Sequence, residues 1–148
     1  MVLPVELPIE IVVAGAPVPK GRPRLTTING KARSYTPSET RHYEHRVAQL
    51  SAERMDGQRP FDEALLVTIS AYRAPPGMSA KKAAQAFAGI IKPTKKPDVD
   101  NYIKAALDGM NGIVYRDDSV VTDLVTRKRF AAQPRLEIRI ERAPEGMA

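Results

Sequence analysis

Two aspartates stand two residues apart in Lys96-Pro97-Asp98-Val99-Asp100-Asn101-Tyr102-Ile103-Lys104, and an adjacent pair, Asp117-Asp118, follows after a helix-length gap. Carboxylates gathered this way repel one another unless a cation compensates them. Hard divalent ions such as Mg²⁺ or Mn²⁺ take one to three carboxylates and complete their shell with water and phosphate oxygens. Such an ion activates water and stabilises charge on a phosphodiester under attack. Lys104 beside it would stabilise developing or leaving-group charge. A bland reading competes: Asp98 as a helix N-cap, Asp100 and Lys104 as an i,i+4 ion pair worth a few tenths of a kcal/mol, and Asp117-Asp118 as a polar turn. Each element alone suits that reading; their conjunction favours a metal site.

The surroundings of these acids are basic. The chain has 148 residues with 23 Lys and Arg against 17 Asp and Glu, a net charge of +6, and a basic domain favours a polyanion such as nucleic acid. Lys20, Arg22, Arg24, Lys31 and Arg33 fall in a window without acids; Lys92, Lys95 and Lys96 form a second patch, and Arg127-Lys128-Arg129 a third. The length fits one domain over residues 1–148 with a frayed tail at 143–148. The absence of cysteine excludes a disulfide framework and a thiolate nucleophile. No apolar run approaches the roughly 18 residues that span a bilayer, and the N-terminus lacks the basic start of a signal peptide. The expectation is a cytoplasmic protein without a membrane partner.

The elements that must position the acids can be read from pattern. Ile9–Ala14 is apolar and β-branched, a strand. Prolines and glycines from Gly15 to Arg24 exclude helix and sheet interior there. Asn29-Gly30 is a two-residue hairpin turn between Leu25–Ile28 and Lys31–Tyr35. Thr36-Pro37-Ser38-Glu39 starts a helix, with Thr36 as cap, Pro37 in the first turn and Glu39 completing a capping box. It runs to about Met55, burying Tyr43, Val47 and Leu50, and stops at Asp56-Gly57. A strand over Ala64–Tyr72, a short helix from Ser79 to about Ala88, and a Lys- and Pro-rich connector from Ile90 to Pro97 follow. Asp98–Met110 is a helix with Val99, Tyr102, Ile103, Ala106, Leu107 and Met110 on one face and Asp100, Lys104 and Asp108 on the other. Strands over Val120–Arg129 and Arg135–Glu141 close the chain, the second alternating Leu136, Ile138 and Ile140 inward. This order implies a small α/β domain, a mixed β-sheet with helices packed on one face.

Other chemistries fit poorly. Asp98-Val99-Asp100-Asn101-Tyr102-Ile103 departs from a calcium loop after its second ligand. His42 and His45 share a helix face without a carboxylate partner. No glycine-rich phosphate loop or nucleophile elbow is present.

Lys-Pro-Asp-Val-Asp-Asn-x-x-Lys followed by Asp-Asp-x-x-Val resembles the RusA family of Holliday-junction resolvases. The family hallmark maps here onto Asp98, Asp100, Asn101, Lys104 and Asp117-Asp118. The segment Lys104-Ala105-Ala106-Leu107-Asp108, the loop Gly15-x-Pro17-x-Pro19-Lys20-Gly21-Arg22-Pro23-Arg24 and Tyr35-Thr36-Pro37 extend the likeness to the bacterial and phage branch, over about residues 9–141. The resemblance implies a homodimer that binds four-way DNA junctions and nicks two strands symmetrically with Mg²⁺ or Mn²⁺, in DNA recombination and repair. Asp98, Asp100 and Asp118 would be the metal carboxylates, with Asp117 as second choice for the distal one, and Lys104 the catalytic lysine. Lys20, Arg22, Arg24, Arg33, Lys95 and Lys96 would hold phosphates, giving affinity rather than base reading. The alternatives are a non-catalytic basic nucleic-acid-binding module, and a sugar-nucleotide transferase using Asp98-Val99-Asp100, for which the chain offers little room.

Overall fold

Alternating side chains make the central sheet. Strand β1 (Ile9–Ala14) buries every second residue, as does β6 (Arg135–Arg142), and β4 (Leu65–Arg73) is buried along most of its length. With β5 (Val121–Phe130) they form a four-stranded sheet in the order β1-β6-β4-β5. β1 and β4 run antiparallel to β6, and β4 runs parallel to β5. The register lines up three apolar rows: Ile9, Ile140 and Val67; Ile11, Ile138 and Ile69; Val13, Leu136 and Ala71. A one-residue slip would turn all three rows to the other face, so the pattern fixes the pairing. The computed structural model describes residues 4–21, 24–35 and 37–146, without the side chains of 24 and 33–35.

Between β1 and β4 come the hairpin β2 (Arg24–Ile28) and β3 (Lys31–Tyr35), a separate two-stranded sheet, and helix α1 (Ser38–Met55). The turn has both central residues at positive φ, Asn29 at 53° and Gly30 at 77°, as Asn-Gly predicts. Between β4 and β5 lie α2 (Ala80–Phe87), α3 (Val99–Met110) and a 3₁₀ turn at Asp118–Val120. The crossover is long because parallel strands demand it. Tyr43, Val47 and Met55 of α1 and Tyr102, Ala105, Ala106 and Met110 of α3 close over the sheet rows in one core. The α/β architecture read from the sequence is the one observed.

Three local expectations change. Thr36 lies outside the described residues; Pro37 occupies the N-cap position of α1, and among the described residues no side-chain capping bond is made there. On α1, Thr40 and Ser51 share the buried stripe, while Leu50 packs against it only partly buried. On α3 the buried stripe is rotated: Ala105 and Gly109 are buried, Val99 is 37% exposed, and Ile103 and Leu107 are half-buried. The cause is the approach of α1. A Cβ built on Gly109 would lie 2.6 Å from Val47 Cβ and 2.9 Å from the Glu44 carbonyl oxygen, so small residues, not large apolar ones, occupy the contact. At the tail, the Ala143 amide bonds the Ala64 carbonyl, and residues 147–148 lie outside the described part.

Burial of phenols gives this core an alkaline limit. Burial raises the Tyr43 hydroxyl to about 12, against a smaller opposing effect of the Arg46 charge. A folded-state value above the unfolded one stabilises the fold below the unfolded value, and that contribution is lost as pH rises through the folded one. Two units correspond to about 2–3 kcal/mol. Thermal unfolding is therefore expected to hold steady up to about pH 10 and to weaken steeply between about pH 10 and 12; a midpoint that does not move across that window would contradict it.

Candidate active site

Helix α3 carries the acids, and its first turn is open. Asp98 is the N-cap residue in extended conformation, and its side chain makes no capping bond. Ser79, in the same position on α2, does cap, accepting from the Lys82 amide. Asp98 is thus placed at a helix N-terminus, where the dipole favours an anion, with its carboxylate not used as a cap. Asp100 is exposed one residue into the helix. The anticipated Asp100–Lys104 pair is not formed: the Lys104 ammonium lies 3.9 Å from Asp108, and among the described residues no ion pair involves Asp98, Asp100 or Asp118. Asp98 therefore takes the N-cap position without a capping bond, and the Asp100–Lys104 pair is absent.

Asp117 and Asp118 differ in what they do. Asp117 caps the 3₁₀ turn, its carboxylate accepting from the Ser119 amide at 3.1 Å. The Ser119 side chain and amide hold that carboxyl below its ordinary range, with a smaller effect from Arg116. Asp118 is exposed and makes no side-chain hydrogen bond among those described. Of the two, Asp118 keeps its oxygens available. Tyr115 anchors this turn. Its hydroxyl donates to the Leu107 carbonyl at 2.6 Å, and its backbone bridges to Phe61 and Asn111. Burial first, then the charges of Asp118, Asp108 and Asp117, push its phenol up. Sequence reading missed this tie, since a lone tyrosine carries no pattern.

The three proposed metal carboxylates are not gathered into one preformed cluster. Among the described residues, no three aspartate, glutamate or histidine side chains are grouped to hold an ion.

The basic residues divide. Lys20 lies with Asp98, Asn101, Pro19, Lys96 and Pro97 around a groove of about 550 Å³. Its ammonium, however, is committed inside the protein, to Glu44 of α1 and to Asp108 of α3 at 3.2 Å. Desolvation lowers the Lys20 value, but hydrogen bonds and charge from Glu44 and Asp108 outweigh it and raise it above the usual range. The Lys20 amide also donates to the Asn101 carbonyl at 2.9 Å, and the Gly21 amide to Thr40 Oγ1 at 3.0 Å. Through Lys20 and Gly21 the proline-rich loop is therefore docked across α1 and α3. Replacing Lys20 by Met leaves two carboxylates facing each other without a cation. We expect a loss of about 1–2 kcal/mol for this partly buried network, read as a lower urea midpoint, and recovery when Glu44 is also changed to Gln. A fully stable K20M protein would show the network to be idle.

Arg22 lies outside the described residues, and for Arg24 and Arg33 only the backbone is described, paired with Tyr35 and Thr26. Lys95 and Lys96 are exposed beside the groove, as expected. The third basic patch is corrected. Lys128, the register partner of Ala71, donates to the Lys95 and Pro97 carbonyls at 2.9 and 3.0 Å. Arg129 bonds the Lys128 carbonyl, and only Arg127 of the three is exposed. Arg73 adds a bond to the Lys96 carbonyl at 3.1 Å. Cations from β4 and β5 thus hold the chain that leads into Asp98, a role invisible in a run of like charges.

Comparison with known proteins places the chain in a family. A family profile described as "Endodeoxyribonuclease RusA" matches residues 14–141. A protein of Bacillus subtilis (strain 168), YqaN, described as uncharacterised, is 35% identical over 135 residues, covering 89% of this chain and 94% of its own length. The matched span holds the docked loop, both α3 aspartates and the Tyr115-anchored turn, and the chain belongs to the RusA endodeoxyribonuclease family.

Proposed function

We propose that the chain is a divalent-metal-dependent endodeoxyribonuclease that resolves four-way DNA junctions by paired symmetric nicks, acting as a cytoplasmic homodimer in recombination and repair. The observation that supports this reading is the Asp98 carboxylate at the N-terminus of α3, which makes no capping bond, with neither it nor Asp100 in an ion pair among the described residues. The donor set fits Mg²⁺ or Mn²⁺: hard, exposed carboxylate oxygens, and a Mg²⁺ ion needs only one or two of them plus substrate phosphate and water. A preformed trio is therefore not required. Asp98 and Asp100 would hold the ion, and Asp118 would be the distal ligand, since the Asp117 carboxylate is used in capping the turn. The ion would supply Lewis acidity and a water made easier to deprotonate.

The chain's own groups do the rest. Lys96, exposed at the groove, and Lys95, exposed next to it in the chain, bind phosphate and set the register of the strand. Lys104, one turn beyond Asp100 and 64% exposed, places its ammonium where charge grows on the phosphate oxygens or the leaving oxygen. Each chain carries one such set of acids, so two coordinated cuts ask for two copies related by a two-fold axis.

A labelled synthetic four-way junction and a linear duplex of the same arms, each with and without Mg²⁺, test the reading. Nicks at symmetric positions in the junction, dependent on the ion and absent from the duplex, are expected. Equal cutting of duplex, or no cutting of either, refutes it.

A further inference from the structure

Along the same connector that lines the Asp98 groove lies a cavity of about 280 Å³ walled by Met78, Ile91 and Phe130 and rimmed by Arg73, Lys92 and Lys95, with no acid lining it. We propose that this cavity receives one unstacked nucleobase from the DNA strand being cut, an inference that rests on the nuclease reading above. Its size is below that of pockets for drug-sized ligands and suits a single planar ring system. An apolar slot takes the base, and a cationic rim takes the flanking phosphates; nucleotide chemistry supplies both together.

Position supports the assignment. Lys92 and Lys95 line this cavity, and Lys96, Pro97 and Asp98 line the groove, so consecutive residues of one segment form the two walls. From Lys95 to Asp98 the chain spans at most about 11 Å. Stacked nucleotides advance about 3.4 Å each along one strand, so a base within about three nucleotides of a phosphate at Asp98 reaches the cavity. The shared wall is held in place beforehand. Lys128 bonds the Lys95 and Pro97 carbonyls and Arg73 bonds the Lys96 carbonyl, which lowers the ordering cost of binding. Base extrusion is cheapest where pairing or stacking is already broken. A branch point offers such bases and an intact duplex does not, so the cavity would also favour branched over linear DNA.

The test uses junctions carrying 2-aminopurine at single positions within about three nucleotides on either side of the cut, bound without divalent ion so that no strand is broken. On binding of the wild-type protein, fluorescence is expected to rise several-fold at one position. The rise is lost in Ile91→Phe and in Thr94→Phe, which fill the cavity from its wall and from its exposed rim, and nicking falls about tenfold; two variants guard against a misfolded one. No brightening at any position, or brightening that persists in both folded variants, overturns the proposal. A wild-type protein that binds and nicks junctions without brightening removes this inference alone; one that binds no branched DNA removes the nuclease reading with it.

Discussion

Asp100→Asn is expected to bind a four-way junction as tightly as the unchanged protein and to nick it at least about 100-fold more slowly, the equivalent of about 3 kcal/mol in the barrier. Asparagine keeps the shape of the side chain and removes its formal charge. Asp100 makes no ion pair among the described residues and is exposed in the first turn of α3, so the substitution should leave the fold untouched. Binding rests on cations facing phosphates, and removing a nearby negative charge does not weaken it. The chemical step, by contrast, would lose one of the few hard oxygen donors proposed to hold the ion. Mobility shift without divalent ion and single-turnover nicking with Mg²⁺ separate the two effects. Asp108→Asn serves as the contrasting variant: its carboxylate faces Lys20 and Lys104, so its loss should appear in stability before activity. The same logic ranks the distal pair, with Asp118→Asn slowing nicking more than Asp117→Asn, whose carboxylate holds the turn. Nicking by Asp100→Asn at the wild-type rate would remove α3 from the chemistry.

Much of this site was legible before any coordinates, and the part that was not has a common cause. Strand β1 and the Asn29-Gly30 hairpin lie where short-range pattern places them, because alternation and turn chemistry are local properties. The acids of α3 were legible as a group because their spacing is helical. What the pattern could not give is partnership across the chain. Lys20 reads as a phosphate-binding cation, but it meets Glu44 and Asp108 from distant parts of the sequence. Lys128 reads as one of three clustered charges, but its position opposite Ala71 in the sheet sends it to the carbonyls before Asp98. The location of Asp118 relative to Asp98 and Asp100 likewise depends on how Tyr115 fastens its turn to α3. The buried stripe of α3 was misread for a related reason. Hydrophobic periodicity weights Val99 and Ile103, whereas the helix–helix contact selects Ala105 and Gly109 for what they lack.

That contact yields the other large expected effect. Gly109→Ala ordinarily strengthens a helix interior by about 1 kcal/mol, yet here it should destabilise the protein by about 1–2 kcal/mol net. The new methyl would stand 2.6 Å from Val47 Cβ, 2.7 Å from Val47 Cγ1 and 2.9 Å from the Glu44 carbonyl. Neither helix backbone nor a side chain with 0% exposure can give way cheaply, and overpacking of a core costs about 1–3 kcal/mol. Relief comes only by moving α3 away from α1. Such a shift carries Asp98 and Asp100 away from the Lys20 loop, which bonds both helices. A displacement of about 1 Å at a reacting centre can cost about 100-fold in rate, so G109A should lose activity beyond its loss of stability, measured well below its unfolding midpoint. Combining it with Val47→Ala, which removes Cγ1 from the clash, should give a double variant less damaged than the sum of its parts. A more stable G109A, or strict additivity with Val47→Ala, would mean that α1 and α3 are not packed as closely as the glycine allows, and that the position of the α3 acids is set elsewhere.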